Sequence, residues 1–216
     1  MSSRLIFNEE SNLNEETKEY LQKIEGLSAK VRKLLDSLQK FNSLDIKQVR
    51  KEESGLNEIA IDLNKFIKTI PESVRISFDT SEFEDVNLTK INTDSKLILE
   101  MLKELIDNAV LYKNPEKDLV NVKISCHAIS KNTFVEIGEK YDYKDYLVIN
   151  FYNDGIGNFN SHTRAFELFK RSDQIFNESL IGLTYCRRIA QLLNGEISVV
   201  SEFGAGMIFT ITLPTE

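Results

Sequence analysis

The sequence is poor in the residues that most often carry metal or redox chemistry. Its 216 residues include two cysteines and two histidines. Neither pair has the spacing of a metal site or a redox motif. His127 stands in an alternating run that is typical of a strand, and His162 stands in a polar loop. We therefore expect no chemistry at either histidine and a reducing, cytoplasmic environment for the thiols.

Long apolar runs and an excess of positive charge are also absent. No run approaches the ~20 residues that a membrane-spanning helix needs, and the first residues lack a secretory pattern. The net charge is −7, whereas a nucleic-acid-binding surface needs a basic footprint. We expect no membrane contact within this chain and no nucleic-acid partner. A content of 41% hydrophobic and 28% charged residues fits a soluble globular protein.

Residues 14–45 carry a heptad pattern of apolar side chains. Solvent cannot satisfy an apolar stripe along a helix of about 30 residues. The stripe therefore packs either on its own domain or on a second copy of the chain. Its narrow seam and charged flanks favour a homodimer. The side chains that form the seam are Ile24, Leu27, Val31, Leu34, Leu38 and Phe41.

The remaining residues mix helical and strand patterns, which predict an α+β fold with helices layered on a mixed or antiparallel sheet. Between the two longest strand patterns lies a polar stretch with no clear regular structure. Asn194-Gly195 is a typical helix stop. The predicted helices are 55–73, a segment from the capping residues 92–95 to about Lys113, and 182–195. The predicted strands are 48–54, 74–78, 119–129, 146–153, 196–201 and 206–214, the last two as a hairpin.

Three polar features interrupt these patterns. Glu104 and Asn108 share one helix face. A carboxylate and an amide on one face either hold a metal ion, position a water, or are simply exposed to solvent. Gly155 and Gly157 follow Asn-Asp in "FYNDGIGNF", which is either an ordinary turn or a place where backbone approaches a ligand closely. Gly182 begins a predicted helix, and N–H groups at such an end suit phosphate.

Taken in order, these segments resemble a known family. The run "ELIDNA", "NDGIG", "FELF", a Gly-Leu helix start and "GEISVVSEFGAGMIFTITLP" resembles the ATP-binding catalytic domain of sensor histidine kinases, with the Bergerat or GHKL fold. The resemblance covers roughly residues 50–216. The helix at 14–45 is similar to the second helix of the dimerisation and phosphoacceptor hairpin that precedes this domain.

The resemblance implies a two-layer α/β sandwich, a mixed sheet covered by helices, preceded by a long coiled-coil-like helix. It also implies a dimerisation helix at 1–46 and an ATP-binding catalytic domain at 47–216. The cofactors would be ATP and Mg²⁺. The partners would be a second copy, joined through the helix at 14–45, and the receiver domain of a response regulator.

Individual roles are also implied by the resemblance. Glu104 would orient or deprotonate the attacking imidazole, and Asn108 would coordinate Mg²⁺. Asn153 would lie at the adenine, and Arg171 at the terminal phosphates. The residues implied to bind the nucleotide are Asn108, Tyr112, Asn153, Gly155, Gly157, Phe166, Phe169, Arg171, Gly182, Leu183, Gly204 and Gly206.

Five positions depart from the family pattern. Asn153 replaces an aspartate, although an amide oxygen still accepts a hydrogen bond from the adenine amino group. Glu178 and Leu180 replace the first two glycines of the phosphate loop, adding negative charge and a side chain there. Met207 replaces a hydroxyl residue, and Leu111 replaces a lysine. Together these changes indicate weakened or altered nucleotide binding.

The family's phosphoacceptor histidine is missing, because no histidine precedes His127. The chain is then a fragment of a longer kinase or a natural protein that lost autophosphorylation, and any membrane span of the parent would lie before Met1. One hypothesis is a kinase catalytic part that phosphorylates a histidine outside this chain. The alternative is a degenerate kinase-like module that dimerises and docks a regulator or kinase. The heptad helix argues against a third hypothesis, a solo GHKL ATPase or anti-sigma-type kinase.

Overall fold

The computed structural model describes residues 14–44, 49–69, 74–79, 90–135, 140–157, 166, 178–202 and 204–215. The chain divides into two compact units, Met1–Asp45 and Ile46–Glu216. Among the described helices, none is both long and apolar enough to cross a membrane.

In the first unit, the described residues form a long helix, α1, at Glu15–Leu44. Asn14 caps it, because the Asn14 side-chain oxygen accepts a hydrogen bond from the Thr17 backbone N–H at 2.8 Å. Half of the predicted apolar seam is exposed, while Leu34, Leu38 and Phe41 are partly buried. Ile24, Leu27 and Val31 are each more than half exposed. An uncovered stripe of this kind indicates a helix face that is available to pack against a partner.

The described residues of the second unit form three helices and seven strands. The helices are α2 (Leu56–Ile67), α3 (Ser95–Leu111) and α4 (Glu178–Leu192). The strands are β1 (Glu52–Gly55), β2 (Val74–Asp79), β3 (Lys90–Thr93), β4 (Val120–Val135), β5 (Lys140–Asn153), β6 (Glu196–Glu202) and β7 (Gly206–Pro214).

Five strands form the main sheet in the order β2-β4-β5-β7-β6, and β1 and β3 form a separate two-stranded sheet. β2 runs parallel to β4, whereas the other neighbours in the main sheet are antiparallel. Helix α3 packs against α4, and these helices contact β4, β6 and β7. The expected two-layer α+β architecture with a mixed sheet is therefore confirmed.

The hydrophobic core lies between this helical layer and one face of the sheet. Alternation along β6 and β7 buries every second side chain over part of each strand, which matches a sheet with one covered face. Two phenylalanines at its centre, Phe151 and Phe209, meet edge to face with ring centroids 6.3 Å apart. The α3 residues in the core are Leu97, Ile98, Met101, Leu102, Leu105, Ile106 and Ala109, and the α4 residues are Ile181, Leu183, Tyr185, Cys186, Ile189 and Ala190.

Helix ends follow the capping residues expected from the sequence. The Asp94 side chain accepts from the Leu97 N–H at 3.2 Å and starts α3. After α4, Asn194 takes a left-handed conformation with φ of 58°, and the Gly195 N–H donates to the Ala190 carbonyl at 2.8 Å. The predicted stop at Asn194-Gly195 is confirmed, whereas α2 ends at Ile67, earlier than predicted.

Two further differences from the predicted elements concern the polar stretch and the start of α4. The polar stretch after residue 129 is not irregular, because β4 and β5 continue to pair as far as Val135 and Lys140. Backbone hydrogen bonds between paired strands form whatever the polarity of the side chains. The polar sequence of this ribbon therefore shows no apolar alternation from which its strands could be predicted. Helix α4 begins at Glu178, which places Gly182 in its second turn and not at its start.

Candidate functional site

Glu104, Asn108 and Tyr112 follow one another at four-residue intervals along α3, and we call them the α3 polar stripe. Glu104 and Tyr112 are half-buried, while Asn108 is only 6% exposed. Leu105, Ile106 and Ala109 are fully buried, as expected. The stripe therefore runs along the border of the core. It is not a fully solvent-exposed helix face, which was the alternative interpretation of Glu104 and Asn108.

The two ends of the α3 polar stripe meet different parts of the chain. At one end, a Cβ added to Gly182 would lie 3.0 Å from a Glu104 carboxylate oxygen. At the other, the Ile156 N–H donates to the Tyr112 carbonyl at 3.0 Å. Asn108 lies between them, one helical turn of about 5.4 Å from each. Residues predicted to act together from three distant segments are thus brought together.

The double-glycine turn packs tightly on the end of α3. A Cβ at Gly155 would lie 2.7 Å from the Tyr112 carbonyl oxygen, so a larger residue would push the turn off the helix. Gly157 has φ of +57°, and its Cβ would lie 2.2 Å from the Glu202 carbonyl oxygen. The glycines here do permit a close backbone approach. The neighbour they admit is the protein's own backbone.

The closing hairpin completes this contact. The Gly204 N–H donates to the Ile156 carbonyl at 2.8 Å. Gly206 has φ of +97°, and a Cβ there would lie 2.1 Å from the Asn153 carbonyl oxygen. The end of β5 is therefore held between α3 and the β6–β7 hairpin. Its geometry is fixed by backbone contacts on both sides.

Two buried asparagines beside this junction have side-chain atoms without a hydrogen-bond partner in the part of the chain that the structure describes. Asn108 and Asn153 are 6% and 0% exposed. Among the described residues, neither Oδ1 nor Nδ2 of Asn108 has a hydrogen-bond partner, and neither does Nδ2 of Asn153. Most buried polar side-chain atoms in folded proteins are satisfied, and each exception requires an explanation. A ligand with polar atoms that enters here would satisfy them.

Asp154 has a structural role that the sequence did not predict. Its carboxylate accepts from the Asn121 backbone N–H at 2.8 Å, from the Asn121 side chain at 2.7 Å and from Lys117 Nζ at 3.0 Å. Burial would raise the pKa of the Asp154 carboxyl, but the hydrogen bonds from Asn121 and Lys117, with the Lys117 charge, together hold that pKa below its usual range. The partners are more than thirty residues away, so no local pattern signals them.

The remaining predicted site residues fall into two groups. Phe166 is buried, its ring meets Phe209 edge to face at 6.4 Å, and its carbonyl accepts from the Thr184 hydroxyl at 3.2 Å. Leu183 is also buried, so a nucleotide could meet only its backbone. Phe169 and Arg171 lie outside the described residues.

A hydrogen-bonded pair that the sequence did not predict joins helices α3 and α4. The Tyr185 hydroxyl of α4 donates a hydrogen bond to the Glu100 carboxylate of α3. Burial, and then the bond to Glu100, raise the pKa of Tyr185 far above its usual value. The phenol therefore stays protonated and ties α4 to α3 one turn before Glu104. Helical periodicity alone assigns Tyr185 to the core and gives no sign of this partner.

The donor set fits a magnesium ion only if a ligand supplies most of the oxygens. No group of three or more histidine, cysteine, aspartate or glutamate side chains is close enough to hold a metal in the part of the chain that the structure describes. Mg²⁺ is commonly held by one or two protein oxygens, with phosphates and waters completing the shell. The unpartnered Oδ1 of Asn108 is an oxygen ligand of the required type.

Comparison with known proteins identifies the class. A family model described as "Histidine kinase-, DNA gyrase B-, and HSP90-like ATPase" matches residues 93–216, which is more than half of the chain. The chain belongs to this family of ATPases. The relatives and structural neighbours that resemble it are histidine kinases.

A curated histidine kinase is similar to this chain in sequence. Hybrid signal transduction histidine kinase B of Dictyostelium discoideum is 26% identical over 186 residues, covering 79% of this chain and 9% of that protein. The chain spans less than a third of the length of the curated relatives that it matches first.

Solved structures extend the likeness to the whole fold. The Acinetobacter baumannii histidine kinase AdeS matches with a TM-score of 0.58 and 19% identity, over 98% of this chain and 90% of that one. Full-length ShkA in complex with AMPPNP matches with a TM-score of 0.61 and 18% identity, over 99% of this chain and 41% of that one. At these identities the likeness establishes the fold.

Proposed function

We propose that residues 47–216 are the catalytic domain of a sensor histidine kinase, which binds Mg–ATP between the α3 polar stripe and the double-glycine turn. The observation that carries this proposal is the set of unpartnered amide atoms on Asn108 and Asn153. Two buried, unsatisfied amides beside one backbone junction are the arrangement expected of a binding site without its ligand. The bound AMPPNP, an ATP analogue, in the structural relative ShkA supports the same assignment.

Each part of the proposed site has a distinct task. The Asn108 side-chain oxygen would hold Mg²⁺, which supplies charge neutralisation for the triphosphate. Asn153 would lie at the base, and Tyr112 beside it. Gly155, Gly157, Gly204 and Gly206 would keep the pocket floor in shape through the close contacts described above. We propose that Phe166 and Phe169 anchor a lid and that Arg171 and Gly182 lie at the phosphates, as the family resemblance implies.

The proposed reaction transfers the γ-phosphoryl group to a histidine supplied outside this chain, and from there to a receiver-domain aspartate. Glu104 would orient or deprotonate the attacking imidazole. Its carboxylate supports this role, because it lies against Gly182 at the end of the α3 polar stripe. Acid-labile phosphate on a histidine-bearing hairpin domain supplied in trans measures the transfer. Transfer that is unchanged in Glu104→Gln would remove Glu104 from the mechanism.

A second candidate function is a degenerate kinase-like binding module. Helix α4 begins at Glu178, so an acidic residue and Leu180 occupy the first turn where the family has a glycine-rich phosphate loop. Met207 pairs across the strands with Asn153, where the family has a hydroxyl. In this alternative, the domain keeps its fold and dimerises, while a regulator or another kinase docks on it with little or no nucleotide.

Calorimetric titration of the whole chain with Mg–ATP separates the two candidates. We expect saturable heat with a dissociation constant of about 1 mM or lower, equivalent to a binding free energy of about −4 kcal/mol or better. The same titration in excess EDTA is the control and should show at least tenfold weaker binding. Absence of saturable heat in protein with a folded circular-dichroism spectrum would favour the binding module.

We also propose that α1 is a dimerisation helix within residues 1–46. The exposed side chains Ile24, Leu27 and Val31 support this, because they would be covered by a second copy. Leu27→Glu is expected to raise the dimer dissociation constant at least tenfold, measured by light scattering across a concentration series. Ala29→Glu, on the opposite face of α1, is the matched control and should leave the dimer intact. Monomeric wild-type protein at high concentration would contradict the proposal.

A further inference from the structure

The orientation of the Asn153 amide is fixed by its own turn. The Gly155 N–H donates to the side-chain oxygen of Asn153 at 3.1 Å. Because a backbone N–H can only face an acceptor, this contact determines which end of the amide is oxygen. The other end, Nδ2, carries two donor hydrogens and has no hydrogen-bond partner among the described residues.

The residues that pair with Asn153 on the adjoining strands provide no good hydrogen-bond acceptor for Nδ2. Val122 and Met207 stand opposite Asn153 on the two adjoining strands, and both are buried. A valine side chain cannot accept a hydrogen bond, and a thioether sulfur accepts only weakly. The carboxylate of the next residue, Asp154, accepts from Asn121 and Lys117 and makes no hydrogen bond with Nδ2 of Asn153.

An aspartate at position 153 would present a different surface. A carboxylate only accepts hydrogen bonds, so it favours a base with an amino group and repels one with a carbonyl oxygen at the same place. An amide with a free Nδ2 reverses that restriction, since it donates to a carbonyl oxygen. Its oxygen has a second lone pair and still accepts from an amino group. Asn153 therefore removes the electrostatic basis for rejecting a 6-oxopurine.

We propose that Asn153 is a specificity-determining residue that lets the site bind 6-oxopurine nucleotides about as well as adenine nucleotides. The proposal rests on the proposed function, in which Asn153 lies at the base. The substrate class becomes purine nucleoside triphosphates bearing either a donor or an acceptor at the 6-position. Hypoxanthine is the sharpest probe, because inosine triphosphate differs from ATP only along the edge in question.

The test compares dissociation constants for Mg–ATP and Mg–inosine triphosphate by calorimetry, on the whole chain and on Asn153→Asp. For the wild type we expect the inosine nucleotide to bind no more than tenfold more weakly than ATP. In Asn153→Asp the ratio should move at least tenfold toward ATP. A wild-type ratio above ten in favour of ATP overturns the proposal, and so does a shift of less than tenfold in the variant.

The possible outcomes distinguish failure of the proposed function from failure of the proposed base specificity. If neither nucleotide binds the folded wild-type protein, the proposed function itself fails and the inference falls with it. If ATP binds and the inosine nucleotide does not, the proposed function stands and only the base specificity is refuted. Should Asn153→Asp fail to fold, the wild-type ratio alone decides. The Gly155 N–H remains satisfied by either side chain, so folding of the variant is expected.

Discussion

Replacing Asn108 with leucine is expected to weaken nucleotide binding severely and to make the unliganded protein more stable. Both amide atoms of Asn108 are buried without a partner among the described residues. An unsatisfied buried polar group costs about 1–3 kcal/mol, and leucine has a shape close to that of asparagine and a higher helix propensity. We therefore expect the free energy of unfolding to rise by about 1–2 kcal/mol.

The same substitution removes the oxygen proposed to hold Mg²⁺. Hydrogen bonds to charged groups contribute about 1.5–3 kcal/mol, and each 1.4 kcal/mol is a factor of ten in affinity. Binding of Mg–ATP should weaken roughly 100-fold. Urea unfolding with and without saturating Mg–ATP measures both effects. The ligand should stabilise the wild type and leave Asn108→Leu unchanged, because a ligand stabilises only the state that binds it.

Asn150→Leu is the matched control for this experiment. Asn150 lies in β5, and its side-chain oxygen accepts a hydrogen bond from the Thr210 hydroxyl at 3.1 Å. Its loss should destabilise the protein by about 1 kcal/mol and leave nucleotide affinity unaltered. If Asn108→Leu instead loses stability and still binds Mg–ATP, the amide serves the fold and the proposed metal ligand is wrong.

Local patterns predicted most of the elements because their causes are local. Asp94 as a helix cap and Asn194-Gly195 as a helix stop act within a few residues of the ends they define. The β6–β7 hairpin was likewise visible in its own alternation. The start of α4 was misplaced because Gly182 was interpreted as a boundary. In the structure, a Cβ at Gly182 would lie 3.0 Å from the carboxylate end of the Glu104 side chain, so glycine gives that carboxylate more room.

The site was only partly predictable, because its parts depend on distant segments. The α3 polar stripe and the double-glycine turn were found in the sequence, but nothing local shows that Ile156 meets Tyr112. The same is true of Asp154, whose partner Lys117 is 37 residues away. Family resemblance supplied the roles, and the structure supplied the contacts. The lack of a partner among the described residues for the Asn108 amide and for Nδ2 of Asn153 is a property of packing that no sequence pattern contains.

Replacing Gly206 with alanine is expected to have the largest effect on stability of any conservative change at this junction. Gly206 has φ of +97°, and an added Cβ would lie 2.1 Å from the Asn153 carbonyl oxygen. That oxygen belongs to the end of β5, which α3 holds from the other side, so it cannot move away cheaply. We expect a loss of about 3 kcal/mol or more in the free energy of unfolding, measured with urea.

Gly204→Ala separates the two causes of that loss, which are the positive φ and the steric clash of the added Cβ. Gly204 also has a positive φ, +79°, but a Cβ there meets nothing within 4 Å. It should therefore cost only the conformational penalty of about 1–2 kcal/mol. Equal losses in the two variants would mean that backbone conformation alone is responsible. A larger loss at Gly206, accompanied by weaker Mg–ATP binding, would show that the backbone contact between β7 and Asn153 shapes the floor of the nucleotide site.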